Sequence, residues 1–187
     1  MKKLAINTAL CALLCISFAA KAALEDLGNG VIKDTDLNIE WLSDANYSKS
    51  SDYHTTGAMN WDAANTWASN LTFANNGDWR LPSVSEMEHL FYHELGGSGG
   101  SNITTSHNVY YNLFDNVQSQ WYWTSDHNNN SQAVAFGMFN GGTYLTSNTT
   151  GFYAMAVSSV PEPETYAMLL AGLGLVSLVA RRRKQIS

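Results

Sequence analysis

Short apolar runs separated by polar turns open the central part of the chain. Residues 31–32 and 39–42 are largely apolar, and the polar Asp34-Thr35-Asp36 stands between them. Apolar runs of this length bounded by turn residues are typical of β-strands, so the pattern predicts a strand, a turn and a second strand. Residues 46–57 are mostly polar and predict a loop.

Helical spacing follows this loop. Apolar side chains recur at intervals of three and four after the capping residue Asn60, at Trp61, Ala64, Trp67, Ala68 and Leu71. This spacing predicts an amphipathic helix that begins after Asn60. Residues 77–82 predict a turn, and Ser83 with Glu86 three positions later has the sequence of a capping box. We therefore expect a second helix from Ser83 to about Leu95.

The last third of this region has the pattern of β-structure. Apolar and aromatic residues are concentrated in segments 121–124, 133–139, 143–145 and 152–157. Asn140-Gly141-Gly142 separates two of these segments and suits a hairpin turn. The sequence thus predicts a single α+β domain, with two helices in its first half and an antiparallel sheet in its second.

The first 22 residues have the features of a secretion signal. Lys2 and Lys3 precede a mostly apolar stretch at 4–18, and Ala20-Lys21-Ala22 offers the small residues that a signal peptidase recognises. We therefore expect a signal peptide at 1–22 and a globular domain at 23–159. Both cysteines lie inside the signal, so the mature chain has no thiol for a disulfide, a nucleophile or a metal site.

The opposite end of the chain combines a proline motif, an apolar run and a basic cluster. Residues 166–180 form an uncharged run of 15 residues between Pro161-Glu162-Pro163 and Arg181-Arg182-Arg183-Lys184. A helix of that length is roughly 22 Å long, which is enough to cross a membrane if the bilayer thins locally. The run therefore predicts a transmembrane helix whose basic end stays in the cytoplasm. An ordinary membrane anchor is one interpretation.

These three parts, over residues 160–184, resemble the PEP-CTERM sorting signal. The resemblance implies that an exosortase recognises the tail and cleaves it near Pro161, Glu162 and Pro163, with the Arg181–Lys184 cluster as the membrane stop. It also implies a Gram-negative bacterium that makes exopolysaccharide. The chain would pass through an inner-membrane intermediate to the cell surface or the extracellular matrix.

Removing both ends reveals an acidic domain. Between residues 23 and 160 only Lys33, Lys49 and Arg80 are basic, against fourteen aspartates and glutamates, which gives a formal net charge of −11. Such a surface repels the phosphate backbone, so the composition argues against nucleic-acid binding.

A second resemblance covers most of residues 34–157. It is carried by Asp34-Thr35-Asp36-Leu37, Trp41-Leu42, Trp61, Ala64, Asp78-Trp79-Arg80-Leu81-Pro82-Ser83, Glu86-Met87, Leu113-Phe114 and Tyr122-Trp123-Thr124-Ser125. These motifs resemble the Lcl C-terminal domain, which implies a fold related to C-type-lectin-like domains. The namesake of that family is an adhesin for sulfated glycans. A sulfated ligand requires basic residues, and this domain has three, so we carry over the fold and not the ligand.

Three residues are candidates for ligand binding. Arg80 has a planar guanidinium that could clamp a carboxylate or a sugar, but we expect it to pair with backbone carbonyls or an acid of the domain while Trp79 packs in the core. Tyr110 and Tyr111 follow a glycine-rich loop and could offer aromatic faces to a glycan. Core packing is the expected role of Trp121 and Trp123.

Metal-ligating residues occur without a recognised metal motif. His89 and His93 stand four apart, with Glu86 on the same predicted helix face, but Leu90 replaces the glutamate of the zinc-protease pattern. We expect this face to be solvated. Asp34, Asp36, Asp44 and Asp52 could together bind calcium, although no EF-hand spacing is present. The sequence predicts no other cofactor.

No nucleophile elbow or other catalytic motif is recognisable, so the sequence predicts a non-enzymatic protein. Its predicted partners are the exosortase, the membrane and exopolysaccharide in a biofilm matrix. Two alternatives stay open. One is a hydrolase that acts on glycans through a metal or paired carboxylates. The other is a structural matrix protein without a specific ligand.

Overall fold

The computed structural model describes residues 23–128 and 131–160. The predicted signal peptide at 1–22, the Pro161-Glu162-Pro163 motif, the apolar run at 166–180 and the Arg181–Lys184 cluster lie outside the described residues. Among the residues that are described, no helix combines the length and the apolar character that crossing a membrane requires.

The described strands form two antiparallel sheets. In chain order the strands are Leu24–Gly28 (β1), Val31–Asp34 (β2), Ile39–Leu42 (β3), Trp79–Arg80 (β4), Trp121–Asn128 (β5), Gln132–Gly137 (β6), Thr143–Ser147 (β7) and Val157–Ser159 (β8). One sheet has the order β1-β2-β3-β8-β4, and the other has the order β5-β6-β7. The predicted α+β class is therefore confirmed, and β5-β6-β7 is the antiparallel sheet predicted for the second half, but the five-stranded sheet was not predicted.

The helices are short. They are Tyr47–Ser50 (α1), Trp61–Asn70 (α2) and Val84–Glu88 (α3), with a π-helical segment at His89–Glu94 and a 3₁₀ helix at Val109–Leu113. Both predicted caps are present: the Asn60 side chain accepts a hydrogen bond from the backbone N–H of Ala63, and Ser83 and Glu86 form a reciprocal capping box. The segment predicted as a loop at 46–57 contains α1, and the second predicted helix leaves α-helical geometry after Glu88.

Two apolar clusters make up the core, and single strands contribute to both. In β2 the adjacent Val31 and Ile32 enter different clusters, because successive side chains of a strand point to opposite faces. Ile32, Trp41 and Val157 belong to the cluster that contains α3 and the π-helical segment, whereas Val31 belongs to the one that contains α2. Both faces of the five-stranded sheet are thus covered.

Strand β8 closes the five-stranded sheet by inserting between β3 and β4. Trp41 pairs with Val157, and Trp79 pairs with Ser158, so the end of the domain is bound to segments from its first half. Of the strand predicted at 152–157, only Val157 lies in β8, while Phe152 and Tyr153 make isolated bridges to Met59 and Tyr122. The turn between β2 and β3 and the segment after α3 lie beside this sheet and carry the candidate site.

Candidate functional site

The turn between β2 and β3 holds a buried carboxylate. Asp34 Oδ1 accepts hydrogen bonds from the backbone N–H groups of Asp36, at 3.0 Å, and Leu37, at 2.9 Å, which fixes the turn. The residue is 0% exposed, and its second oxygen, Oδ2, has no hydrogen-bond partner in the described part of the chain. Buried polar atoms are nearly always hydrogen-bonded, so an unpartnered carboxylate oxygen requires an explanation.

The π-helical segment brings His89 and Glu94 together. The backbone N–H of Leu95 donates to the carbonyl of Leu90 at 2.8 Å, five residues earlier, which is the π-helical hydrogen bond. Residues five apart therefore lie on the same side, whereas an α-helix would separate them by about 140°. Consequently His89 Nε2 lies 3.0 Å from Glu94 Oε1.

Asp34, His89 and Glu94 form one cluster. Asp34 Oδ2 lies 3.8 Å from His89 Nε2, and one ligand atom from each of the three residues lies within 4.8 Å of the others. The Glu94 side chain is almost fully buried and that of His89 is 20% exposed. Burial and the nearby charge of Asp34 raise the pKa of Glu94 above its ordinary value, against the opposing effect of His89. This group is the candidate metal centre among the described residues.

The cluster differs from both metal sites considered for the sequence. His93 is exposed, with its ring centroid 5.3 Å from that of His89, while Glu86 is bound to Arg80. The expectation that the whole face of Glu86, His89 and His93 is solvated was wrong for His89, because the π-helical register turns it toward Glu94. The four aspartates considered for calcium do not converge either, since Asp34 faces His89 and Glu94.

Arg80 has the structural role that we expected. Its guanidinium donates to both carboxylate oxygens of Glu86, at 2.8 and 2.6 Å, and to the backbone carbonyl of Leu81 at 3.1 Å. Burial of Glu86 raises the pKa of its carboxyl, but the hydrogen bonds from Arg80 and Ser83 outweigh this effect and hold the pKa below its ordinary value. Trp79 is buried in the core.

Tyr110 and Tyr111 are half-buried in the 3₁₀ helix and pack against the cluster that contains α3. The ring of His107 stacks on Tyr111 with a centroid distance of 4.0 Å. Burial raises the pKa of the Tyr111 hydroxyl. The two tyrosines, which we predicted as surface residues, thus give part of their area to packing. Their binding of a glycan stays a prediction.

A cleft of about 340 Å³, which we call the polar cleft, lies beside α1. Its lining is dominated by amide and hydroxyl groups, with one cation, one carboxylate and one phenol ring, from Asn46, Lys49, Ser50, Asp52, Thr56, Asn116, Gln118 and Tyr153. Apart from the Asp52 carboxylate and the Lys49 ammonium, the side chains are uncharged. Amides, hydroxyls and an aromatic ring are the groups that hydrogen-bond to and stack on sugars.

Buried residues support the wall of the polar cleft. Asn46 is 5% exposed, and its Oδ1 has no hydrogen-bond partner in the described part of the chain. Gly57, whose φ is +85°, lies against this carboxamide, and a Cβ there would collide with it. Tyr153 is backed by the buried ring of Tyr122, at a centroid distance of 5.7 Å. The wall is therefore held by packing rather than by a free loop.

A family model described as the Lcl C-terminal domain matches residues 30–158, more than half of the chain. This chain belongs to the Lcl C-terminal domain family. A second model, the PEP-CTERM protein-sorting motif, matches residues 159–184, directly after the Lcl domain. Both resemblances inferred from the sequence are confirmed. The sorting motif implies export, exosortase-mediated sorting with membrane anchoring, and delivery to the surface of a Gram-negative cell. Among curated proteins, none matches the chain.

Sequence reasoning identified Asp34 and His89 of the Lcl domain separately but missed their convergence with Glu94. A helical wheel at the α-helical angle places residues 89 and 94 apart, so it could not have revealed the pair. The polar cleft was missed because its lining comes from three separated segments of the chain. Its one local signal was the polar composition of residues 46–57.

Proposed function

We propose that this chain is a non-enzymatic surface or matrix protein whose Lcl domain, of C-type-lectin-like fold, binds the exopolysaccharide of the cell that exports it. The polar cleft carries the proposal. It combines amide and hydroxyl donors and acceptors with the Tyr153 side chain. Its volume of about 340 Å³ suits a short stretch of sugar units. The sorting motif supports a site of action outside the cytoplasm.

The charge of the domain favours a neutral or weakly charged polysaccharide. Fourteen acidic side chains and three basic ones surround any ligand with negative potential. In the polar cleft Lys49 is balanced by Asp52, so no local concentration of cations offsets that field. A sulfated or uronate-rich polymer would be repelled, whereas a neutral polymer would be bound by hydrogen bonds and stacking.

A glycan hydrolase is less well supported. Such an enzyme requires a catalytic metal or carboxylate pair that a substrate can reach. The one metal-ligating group found among the described residues, Asp34 with His89 and Glu94, has both carboxylates buried, and the polar cleft is lined by other residues. Substrate would have no direct access to either carboxylate.

Blocking the polar cleft tests the proposal. Ser50 is exposed on α1 and lines the cleft, so Ser50→Trp places a bulky ring in it without disturbing the core. We expect at least a tenfold loss of binding when the full chain is co-sedimented with purified matrix polysaccharide. Ser69→Trp, at an exposed position of α2 outside the lining, is the matched control and should bind as the parent does.

Three results would contradict the proposal. Equal binding by Ser50→Trp and Ser69→Trp would show that the polar cleft is not the site. Absence of binding by the parent chain to neutral and acidic matrix polysaccharides alike would favour the alternative of a structural matrix protein without a specific ligand. Release of reducing sugar from the polysaccharide during incubation would favour the hydrolase.

A further inference from the structure

The Asp34 carboxylate is held in place by two backbone hydrogen bonds to one of its oxygens, while the other oxygen points toward His89 without a partner. Asp34 Oδ2 is buried, and its distance of 3.8 Å to His89 Nε2 exceeds that of a hydrogen bond. Burying a carboxylate oxygen without a partner is unfavourable. The arrangement aims one lone-pair-bearing oxygen at an imidazole nitrogen, and oxygen and nitrogen lone pairs that converge in this way can bind a metal ion.

His89 is the basic side chain that approaches the Asp34 and Glu94 carboxylates in the described part of the chain. In residues 23–128 and 131–160 no lysine or arginine forms an ion pair with Asp34 or Glu94. Lys33 precedes Asp34 in β2, but alternation along the strand directs it to the opposite face. A dication bound between the two carboxylates and the imidazole would give the unpartnered Asp34 oxygen a positive partner.

We infer that Asp34, His89 and Glu94 form a binding site for a divalent metal ion of the zinc class, distinct from the polar cleft. The ligands are one imidazole nitrogen and two carboxylate oxygens, a mixed nitrogen and oxygen set that suits Zn²⁺ better than Ca²⁺, which takes more oxygen ligands. Zinc ligand bonds are about 2.1 Å long, so tetrahedral ligand atoms lie about 3.4 Å apart.

Two of the three separations between ligand atoms bracket this value, and the third is no longer than 4.8 Å. The Nε2–Oε1 distance of 3.0 Å and the Nε2–Oδ2 distance of 3.8 Å lie on either side of that value. The partly exposed imidazole of His89 gives the ion a route in from solvent, and a water molecule on that side would complete the coordination. The backbone also supports a site here, since π-helical turns are rare and are found frequently at functional positions.

The bound ion would connect two separate parts of the fold. Asp34 lies at the end of β2, and His89 and Glu94 lie on the π-helical segment that packs in the adjoining core cluster. A metal that binds the folded chain and not the unfolded chain raises the temperature of unfolding. The expected role of the ion is therefore to stabilise the domain, since residues 23–160 contain no cysteine for a disulfide.

Zinc titration of the purified full chain, stripped with chelator beforehand, tests the inference. We expect one equivalent of Zn²⁺ to bind per chain and to raise the unfolding temperature, with no comparable effect of Ca²⁺. Asp34→Asn, which keeps the Oδ1 acceptor of the turn, and Glu94→Gln should each weaken zinc binding at least tenfold. Both variants should also lose the rise in unfolding temperature that Zn²⁺ gives the parent.

His93→Ala is the matched control, because it removes a neighbouring exposed imidazole and should leave zinc affinity unchanged. If either carboxylate variant fails to fold, His89→Ala takes its place in the zinc titration, because position 89 is partly exposed. The inference is overturned if the parent binds no zinc, if Asp34→Asn and Glu94→Gln bind it as the parent does, or if His93→Ala loses it to the same degree as His89→Ala. The last result would point to a surface histidine pair.

Discussion

At the scale of single residues, local sequence reveals some roles and conceals others. Arg80 could be assigned a structural role because a guanidinium bonds readily to backbone carbonyls or to an acid of its own domain, and Glu86 is that acid. Asp34 was recognised as a turn residue and as a candidate calcium ligand beside other aspartates. Its second role depends on His89 and Glu94, which are remote in sequence, and no local pattern records that approach.

Gly57 shows how one backbone position supports the polar cleft. Its φ of +85° is unfavourable for any residue with a Cβ, and an added methyl group would collide with the buried Asn46 carboxamide. We predict that Gly57→Ala lowers the free energy of unfolding by about 2 kcal/mol or more. Thermal unfolding followed by circular dichroism provides the measurement.

Gly151→Ala is the control for that substitution, because the structure leaves open space around the position and its φ is not in the left-handed region. It should change stability by less than about 1 kcal/mol. Equal unfolding temperatures for the two variants would mean that Gly57 does not hold the wall of the cleft in the way described.

At the scale of elements, features fixed by neighbouring residues were predictable and those fixed by distant partners were not. The caps of α2 and α3 were recognised because Asn60, Ser83 and Glu86 act within one turn. The π-helical register after Glu88 was missed because a helical wheel assumes α-helical geometry. Strands β4 and β8 are only two and three residues long, and both exist through pairing with remote segments.

The start of α3 makes the stability of the domain sensitive to acid through Glu86. The pKa of Glu86 is lowered in the folded state. Its contribution to the free energy of unfolding is therefore fully present above the ordinary carboxyl pKa and is lost as the pH falls through the pKa of the folded state. We predict that Glu86→Gln lowers the free energy of unfolding by about 1–2 kcal/mol at pH 7. The difference from the parent should shrink between about pH 5 and pH 3.

Urea unfolding at a series of pH values measures this difference. Glu88→Gln is the matched control, since Glu88 is exposed two positions further along the same helix. It should resemble the parent across the series. A gap between Glu86→Gln and the parent that stays constant from neutral to acid pH would show that the ion pair with Arg80 and the cap do not depend on the charge of Glu86.

At the scale of the whole molecule, the acidic domain and the sorting motif both suit a protein that acts outside the cytoplasm. The domain carries a formal charge of −11 between residues 23 and 160, and the PEP-CTERM motif follows it at 159–184. The α+β class, the Lcl family membership and the match to the sorting motif were predictable because motif order and composition are properties of sequence. The division into two sheets was not, since strand order depends on pairing between remote segments.

Export and retention in the matrix form the central claim, and the amount and intact mass of the chain in the extracellular matrix fraction test it most directly. We predict that the matrix of the producing bacterium contains the domain with its C-terminus near Pro161–Pro163, and that this fraction is depleted in cells unable to make exopolysaccharide. A chain confined to the cytoplasmic membrane with its mass extending through Ser187, or a matrix fraction unchanged without exopolysaccharide, would contradict the account.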